Sequence, residues 1–180
     1  MQDEKEFIKE LLNPKTQNIA FQKLLREYQR PLYNHIRNIV LNHDDTDDVL
    51  QNTFIKVFRY LKDFKGDSKL FSWMYRIATN EAITFINQKA KKNGITSVAL
   101  QTRLVDNLKA DVYFDGNEIQ IKLQKAVASL PEKQQLVFKM KYYEELKYEE
   151  ISEVLGTSVG ALKASYHHAV KKIEDFVKKN

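Results

Sequence analysis

The chain has 180 residues, a net charge of +5 and no cysteine. Its length allows one large domain or two small ones, and the absence of cysteine excludes disulfides, zinc–thiolate sites and thiol nucleophiles. Its charged N-terminus has no apolar run of signal-peptide length, and no later segment has the composition of a membrane span, so we expect a cytoplasmic protein without membrane insertion.

Helical periodicity dominates the chain, which contains only five glycines and three prolines. This pattern predicts an all-α fold of two small helical domains. We expect helices over Glu4–Leu12 and Asn18–Gln29, and a third from Pro31 to Asn42, because a proline in the first turn loses no helical hydrogen bond. The acids of HDDTDD then begin a fourth helix, with Asp44 or Asp45 as its cap.

The fourth helix carries apolar residues at helical spacing, including Phe54 and Phe58, and ends near Gly66. A fifth helix of about 24 residues follows, with Asp67 or Ser68 as the predicted cap. Its sequence, SKLFSWMYRIATNEAITFINQKAKK, has an apolar face and, on the opposite side, a stripe of cations, amides and an indole. The members of this stripe that matter below are Lys69, Ser72, Trp73, Arg76 and Asn80.

Such a stripe suits single-stranded nucleic acid, because a flat ring stacks on bases, cations meet phosphates and amides meet base edges. The net positive charge also favours a polyanionic partner. The alternative interpretation is structural: Trp73 is a residue at the edge of the core, and Arg76 pairs with Asp67 or Glu81.

Residues 93–116 lack a sustained period and are interpreted as a flexible linker between an N-terminal domain (residues 1–92) and a C-terminal domain (residues 117–180). Apolar side chains within this stretch indicate that part of it docks on another element. Helical periodicity returns over Ile119–Ser129 and Glu132–Tyr143, and then over Tyr148–Leu155 and Ser158–Lys178.

The last two helices form a helix-turn-helix pattern, with Gly156 as a left-handed cap and Thr157 or Ser158 starting the second helix. In this pattern the second helix enters the major groove of DNA. Its predicted outer face is small, hydrogen-bonding and cationic, and it includes the residues Lys163, Ala164, His167, His168 and Lys171. A solvated lysine face on an ordinary helical hairpin is the alternative, whereas the adjacent histidines point about 100° apart and do not suit one metal ion.

Three stretches together carry a family resemblance: DDVLQNTFIKVFRYLKDF, SKLFSWMYRIATNEAITFINQKAKK and SLPEKQQLVFKMKYYEELKYEEISEVLGTSVGALKASYHHAVKKI. In this order they resemble a bacterial RNA polymerase sigma factor of the extracytoplasmic-function group. The resemblance implies that the N-terminal domain binds a coiled coil of core RNA polymerase and opens the minus-ten promoter element. It implies that the C-terminal domain binds the minus-thirty-five element as duplex DNA.

The resemblance also assigns site residues. Those implied to bind polymerase are Asp47, Asp48, Gln51, Asn52, Phe54 and Arg59. Those implied at the minus-ten element are Phe64, Lys69, Trp73, Arg76 and Asn80, with the loop from Phe64 to Lys69 capturing a flipped base. Those expected at the minus-thirty-five element are Ser158, Lys163, Ala164, His167, His168 and Lys171.

Two other function classes remain as alternatives. A stand-alone helix-turn-helix regulator would need a sensing pocket or a dimer face in residues 1–92. An enzyme would need a phosphate-binding loop, a metal cluster or a nucleophile with a histidine partner, and the sequence has none of these motifs. We therefore expect no catalysis, no cofactor and no metal, with core RNA polymerase, promoter DNA and an anti-sigma factor as candidate partners.

Overall fold

The structure is a computed structural model that describes residues 3–180. These residues form nine α-helices and no β-strand, which confirms the predicted all-α class. In chain order the helices are α1 (Glu4–Leu12), α2 (Gln17–Val40), α3 (His43–Tyr60), α4 (Leu70–Lys92), α5 (Ser97–Asn107), α6 (Glu118–Ala128), α7 (Glu132–Phe138), α8 (Tyr148–Leu155) and α9 (Val159–Lys179). Short 3₁₀ turns follow α3 and α5, and a π-helical turn, Lys139–Tyr143, follows α7.

Helix α2 runs without interruption through Pro31, where the sequence predicted a boundary between two helices. A proline inside a helix removes one backbone hydrogen bond and costs about 3 kcal/mol or more. Leu24 before the proline and Leu32 and Ile36 after it are all fully buried in one core. Each such side chain contributes roughly 1.5–3 kcal/mol on burial. Packing on both sides therefore offsets the loss, and the prediction of two helices was wrong.

The cap of α3 also differs from the prediction. Asn42, rather than Asp44 or Asp45, accepts the backbone N–H of Asp45 through its side-chain oxygen at 2.9 Å. The two aspartates lie in the first turn of the helix. There their charges are stabilised by the positive end of the helix dipole.

The first turn of α4 receives its side-chain partner from another helix. Its N-cap residue is Lys69, which makes no side-chain cap hydrogen bond. The carboxylate of Glu4 in α1 instead accepts the backbone N–H of Leu70 at 3.2 Å. A cap from Asp67 or Ser68 was therefore the wrong prediction, because the partner lies 66 positions away in sequence.

The stretch interpreted as a linker, residues 93–116, contains α5, so the expected lack of helical order was wrong for residues 97–107. Thr96 caps this helix by accepting the backbone N–H of Ala99 at 3.1 Å. Leu100 and Val105 are buried, and α5 packs against α4 and α6. Its apolar residues gain their burial from these neighbours, so weak periodicity did not prevent a helix.

The C-terminal helices follow the predicted order. Asn117 and Gln120 form a capping box at the start of α6. Helix α8 ends at Gly156 in the left-handed conformation (φ 65°), and Ser158 caps α9 by accepting the backbone N–H of Ala161 at 3.3 Å. These two helices form the predicted helix-turn-helix.

The N-terminal half (residues 3–92) and the C-terminal half (residues 117–180) share one apolar cluster. It includes Met74 and Tyr75 of α4 together with Met140, Ile151 and Val154 from the C-terminal half. Helix α4 packs directly against α8. The two halves are therefore in close contact in this structure.

Among residues 3–180, no helix combines the length and apolar character that crossing a membrane requires.

Candidate functional site

The outer side of α3 presents most of the residues assigned to polymerase binding. The exposed ones are Asp47, Asp48, Gln51, Asn52 and Arg59. Phe54 is half-buried and packs against the core. At 100° per residue, the positions from Phe54 through Gln51 and Asp48 to Asn52 follow one another around the outside of the helix. The structure thus brings these residues onto one continuous surface.

A groove beside this surface has a volume of about 570 Å³. Its lining residues are Phe21, Leu25, Gln29, Leu50, Gln51, Phe54, Ile55 and Phe58. Ile55 is 55% exposed and Phe58 is 45% exposed. Large apolar side chains concentrated in one open groove are typical of a protein–protein interface. We name this feature, together with the acids beside it, the α3 groove.

Sequence reasoning missed most of the α3 groove. It counted Phe58 only among the apolar residues of the helix, whereas the ring is partly exposed and meets Phe21 of α2 edge to face, with centroids 5.0 Å apart. Ile55 was not assigned at all. Its position, about 140° around the helix from the buried Leu50, was the available signal, because an isoleucine so far from the core stripe needs another partner.

The loop before α4 brings Phe64 against Trp73. Their ring centroids lie 4.9 Å apart with a 44° tilt. Phe64 is buried at 8% exposure, because a benzyl side chain next to the core gains more from burial than from solvent exposure. Its role at the minus-ten element stays a prediction. Trp73 is half-buried and keeps part of its indole accessible.

The predicted stripe on α4 is only partly free. Lys69 and Asn80 are exposed, whereas Ser72 is buried and its hydroxyl lacks a protein partner. Arg76 donates to backbone carbonyl oxygens of α8, through Nε to Val154 at 3.3 Å and through Nη2 to Glu153. The side chain of Arg76 thus contacts the C-terminal half while the residue remains exposed.

Neither ion pair that the sequence suggested for Arg76 forms. The carboxylate of Glu81 pairs with Lys56 of α3 instead. Asp67 is exposed in the loop before α4, and no ion pair between it and Arg76 occurs among the described residues. The suggested ion pairs of Arg76 were therefore wrong, and its partners in this structure are backbone carbonyl oxygens of α8.

Helix α9 presents all of its predicted contact residues to solvent. The exposed set is Ser158, Lys163, Ala164, His167, His168 and Lys171. Leu162, Ala169 and Ile173 on the opposite side are buried. From Val159 through Ile173 the helix carries no carboxylate. The outer face is therefore cationic and open along the N-terminal two-thirds of the helix.

A small aromatic platform supports the start of this face. The ammonium of Lys163 lies 5.8 Å from the ring centroid of Tyr148, and that of Lys141 lies 5.0 Å from the same centroid. Such cation–π contacts orient flexible lysines. The adjacent rings of His167 and His168 diverge by 63°, and no group of three metal-ligating side chains occurs within residues 3–180.

Comparison with known families identifies the family to which the chain belongs. Residues 24–92 match the family model described as Sigma-70 region 2, and residues 120–173 match the one described as Sigma-70, region 4. Together the two matches cover well over half of the chain, in the order that the family has. The chain belongs to the sigma-70 family.

Curated relatives place this sigma factor in the extracytoplasmic-function (ECF) group. The chain is 28% identical over 156 residues to the ECF RNA polymerase sigma factor SigW of Bacillus subtilis, covering 82% of this chain and 83% of that protein. It is 27% identical over 163 residues to the RNA polymerase sigma-H factor of Pseudomonas aeruginosa, covering 86% and 84%. It is 26% identical over 173 residues to the ECF RNA polymerase sigma-E factor of Escherichia coli, covering 88% and 86%.

Solved structures agree on the fold. CnrH in complex with the cytosolic domain of CnrY aligns with a TM-score of 0.70 at 19% identity, over 99% of this chain and 98% of CnrH. The sigma factor RpoE in complex with the anti-sigma factor NepR from Bartonella quintana aligns with a TM-score of 0.64 at 18% identity, over 88% and 96%. Both neighbours therefore share the fold of this chain.

This sigma factor is a promoter-specificity subunit of RNA polymerase, with core polymerase and promoter DNA as its partners. The alternative of a stand-alone helix-turn-helix regulator is not favoured, because region 2 accounts for residues 24–92.

Proposed function

We propose that three surfaces of the chain divide the work of promoter recognition. The α3 groove binds core polymerase, α4 with its preceding loop holds the opened minus-ten element, and the outer face of α9 reads the minus-thirty-five element. The observation that carries this proposal is the exposure of all six predicted residues on α9, together with an open apolar groove beside the acids of α3.

The chemistry of each surface fits its proposed partner. The α3 groove offers apolar area rimmed by Asp47, Asp48 and Arg59, which suits a protein surface with apolar and charged groups. On α9, Lys163 and Lys171 suit phosphates, whereas Ala164 and His167 are placed to meet base edges in the major groove. The exposed edge of Trp73 offers a stacking surface for an unpaired base.

Phe64 takes a supporting part in this proposal. Its ring packs on Trp73 at 4.9 Å and limits the angles that the indole can adopt. A base-stacking ring held in place loses less conformational entropy on binding than a free one.

The remaining properties follow from this assignment. We propose that the chain has no catalytic activity of its own and acts in the cytoplasm, where transcription takes place in bacteria. The structural neighbours were solved with an anti-sigma factor or with the cytosolic domain of CnrY. By analogy, we propose that an inhibitory protein controls this chain as well.

Binding to core polymerase tests the α3 groove. Ile55→Glu places a carboxylate in the apolar groove, and a charge that must be desolvated without a partner disfavours association. We expect Ile55→Glu and Asp48→Arg each to weaken core binding at least tenfold in a competition titration, with a matching loss of transcription. Ile19→Glu makes the same chemical change at another exposed site on α2 and is the control, expected to bind normally.

The outcomes of this experiment distinguish a wrong polymerase-binding site from a wrong function. Normal core binding by both α3 variants would show that the groove is not the polymerase site. A wild-type chain that neither binds core polymerase nor directs it to any promoter would contradict the function itself.

A further inference from the structure

Helix α1 lies outside the stretch that matches Sigma-70 region 2, residues 24–92. Its buried side chains, Phe7 at 9% exposure and Leu11 at 0%, nevertheless belong to the apolar core that also contains Leu70 of α4. The helix is therefore a fixed part of the N-terminal half, and the match to region 2 assigns it no role.

Helix α1 contacts both ends of the loop that precedes α4. Before the loop, α1 packs against the 3₁₀ turn Leu61–Asp63. After the loop, the carboxylate of Glu4 accepts the backbone N–H of Leu70 at 3.2 Å. The loop from Phe64 to Lys69 runs between these two contacts. One helix thus fixes where the loop begins and where it ends.

The middle of this loop is open to a partner. Phe64 and Leu70, which flank it, are buried at 8% and 1% exposure, whereas residues 65–67 are exposed. Gly66 turns the chain at its tip in the left-handed conformation, with φ 75°. A loop whose ends are already held loses less conformational entropy when a partner binds to its tip.

Glu4 supplies a hydrogen bond that the start of α4 otherwise lacks. Leu70 is the first residue of α4, so its N–H has no intrahelical acceptor. The N-cap residue, Lys69, makes no side-chain cap hydrogen bond. A carboxylate at this end is also favoured by the helix dipole. The same first turn includes the bond from the N–H of Trp73 to the carbonyl oxygen of Lys69, at 3.1 Å, so its position also sets that of the indole.

We propose that Glu4 is a positioning residue for the opening of the minus-ten element. It holds the first turn of α4, so that the loop from Phe64 to Lys69 and the indole of Trp73 meet the unpaired strand in a fixed geometry. The carboxylate itself does not contact DNA. The inference rests on the proposed role of α4 and its preceding loop at the minus-ten element.

Promoter opening by the assembled holoenzyme tests this role. Glu4→Ala removes the acceptor, Glu4→Gln keeps a side-chain oxygen that can accept the same N–H, and Glu6→Ala deletes another exposed carboxylate of α1 as the matched control. We expect Glu4→Ala to lower permanganate reactivity in the minus-ten region about fivefold, the factor that corresponds to loss of a typical helix cap. Glu4→Gln should recover most of this loss, and Glu6→Ala should match wild type.

Two further measurements separate positioning from a general loss of structure. A competition titration should give wild-type affinity for core polymerase in every variant, because the α3 groove is unchanged. Combining Glu4→Ala with Trp73→Ala should lower opening by less than the product of the two single effects, since both act through the start of α4. If circular dichroism shows that Glu4→Ala is unfolded, Glu4→Asp, whose carboxylate is one methylene shorter, takes its place.

Normal opening by the Glu4→Ala holoenzyme would overturn the proposal. Increased opening would also overturn it, because the carboxylate would then hinder the approach of DNA. An equal loss of core binding, or effects of Glu4 and Trp73 that simply multiply, would show a role unrelated to the minus-ten element. Failure of the proposed function gives a different result, since the wild-type holoenzyme would then open no promoter.

Discussion

At the scale of single residues, Trp73 has both a packing role and a proposed binding role. Its indole meets Phe64 on one side and remains partly accessible on the other. Loss of one base–aromatic stack costs ~1–3 kcal/mol. Trp73→Ala should therefore lower open-complex formation by roughly tenfold, since 1.4 kcal/mol corresponds to a factor of ten. Permanganate footprinting of the promoter with assembled holoenzyme measures this effect.

The core reference for that experiment is Met74, which is fully buried next to Trp73 in sequence. Met74→Ala should lower the free energy of unfolding by ~2–5 kcal/mol. Ile77 of the same helix is only half-buried and is a poorer reference. If Trp73→Ala unfolded the chain as readily as Met74→Ala, or left promoter opening intact, the indole would be a packing residue only.

Lys139 is a second residue with a measurable effect, in this case on how stability depends on pH. Its side chain is buried, with Nζ 3.4 Å from the side-chain oxygen of Gln135, and desolvation lowers its pKa from 10.5 to about 8, although Glu144 opposes this shift. Between these two pH values the unfolded chain binds more protons than the folded one, so this residue makes stability rise with pH. Below pH 8 its destabilising effect is complete.

Lys139→Met keeps a long side chain and removes the charge. At pH 7 the variant should be more stable than wild type by ~3–4 kcal/mol, since the pKa of Lys139 falls from 10.5 to about 8 and each pKa unit corresponds to about 1.4 kcal/mol. The difference should shrink as pH rises from 8 towards 10.5. Urea unfolding of both proteins across this pH range measures the difference in stability. Burial raises the pKa of tyrosines such as Tyr28 to about 12, and these tyrosines affect the stability of both proteins alike. A stability difference between the two proteins that did not change with pH would contradict the lowered pKa of Lys139.

At the scale of elements, α9 carries two kinds of predicted DNA contact. Contacts to phosphates position the helix, and contacts to base edges read the sequence. Lys171 is exposed towards the expected DNA backbone, and Lys171→Ala should weaken binding to all duplex sequences and reduce the salt slope by about one. His167→Ala should instead change which bases are preferred. Selection from a random duplex library, followed by salt titrations, measures both. If the two variants behaved alike, the division of roles on this helix would be wrong.

Helices α2 and α4 show how neighbouring elements override local signals. Pro31 favours a helix start, yet α2 continues because Leu24 and Leu32 are buried on either side of it. The first turn of α4 follows possible local caps but receives its side-chain acceptor from Glu4 of α1. Both outcomes depend on contacts formed only when the helices pack together.

At the scale of the whole molecule, the two halves share one apolar core, and this core fixes the position of the C-terminal half against the N-terminal half. Met140, Ile151 and Val154 join the cluster that includes Met74 of α4. The same helix is proposed to bind DNA and is already in contact with α8. The contact between α4 and α8 therefore belongs to the same apolar core that holds the N-terminal half together.

The sequence by itself determined the helical class, the helix-turn-helix and the outer face of α9. These depend on periodicity and on caps such as Gly156 and Ser158, which act within a few residues. The family resemblance assigned Asp48 and Asn52 of α3 to polymerase binding, and both side chains are exposed. The family motifs in the same stretches implied the promoter function.

Only the tertiary structure decided which predicted contacts are free. The partners of Arg76 lie up to 78 positions away, and Glu144 lies 109 positions from His35. The α3 groove likewise needs Phe21 from α2 beside Ile55 and Phe58. Sequence spacing describes the faces of one helix, but which of those faces becomes covered depends on the free energy of packing the other helices against it.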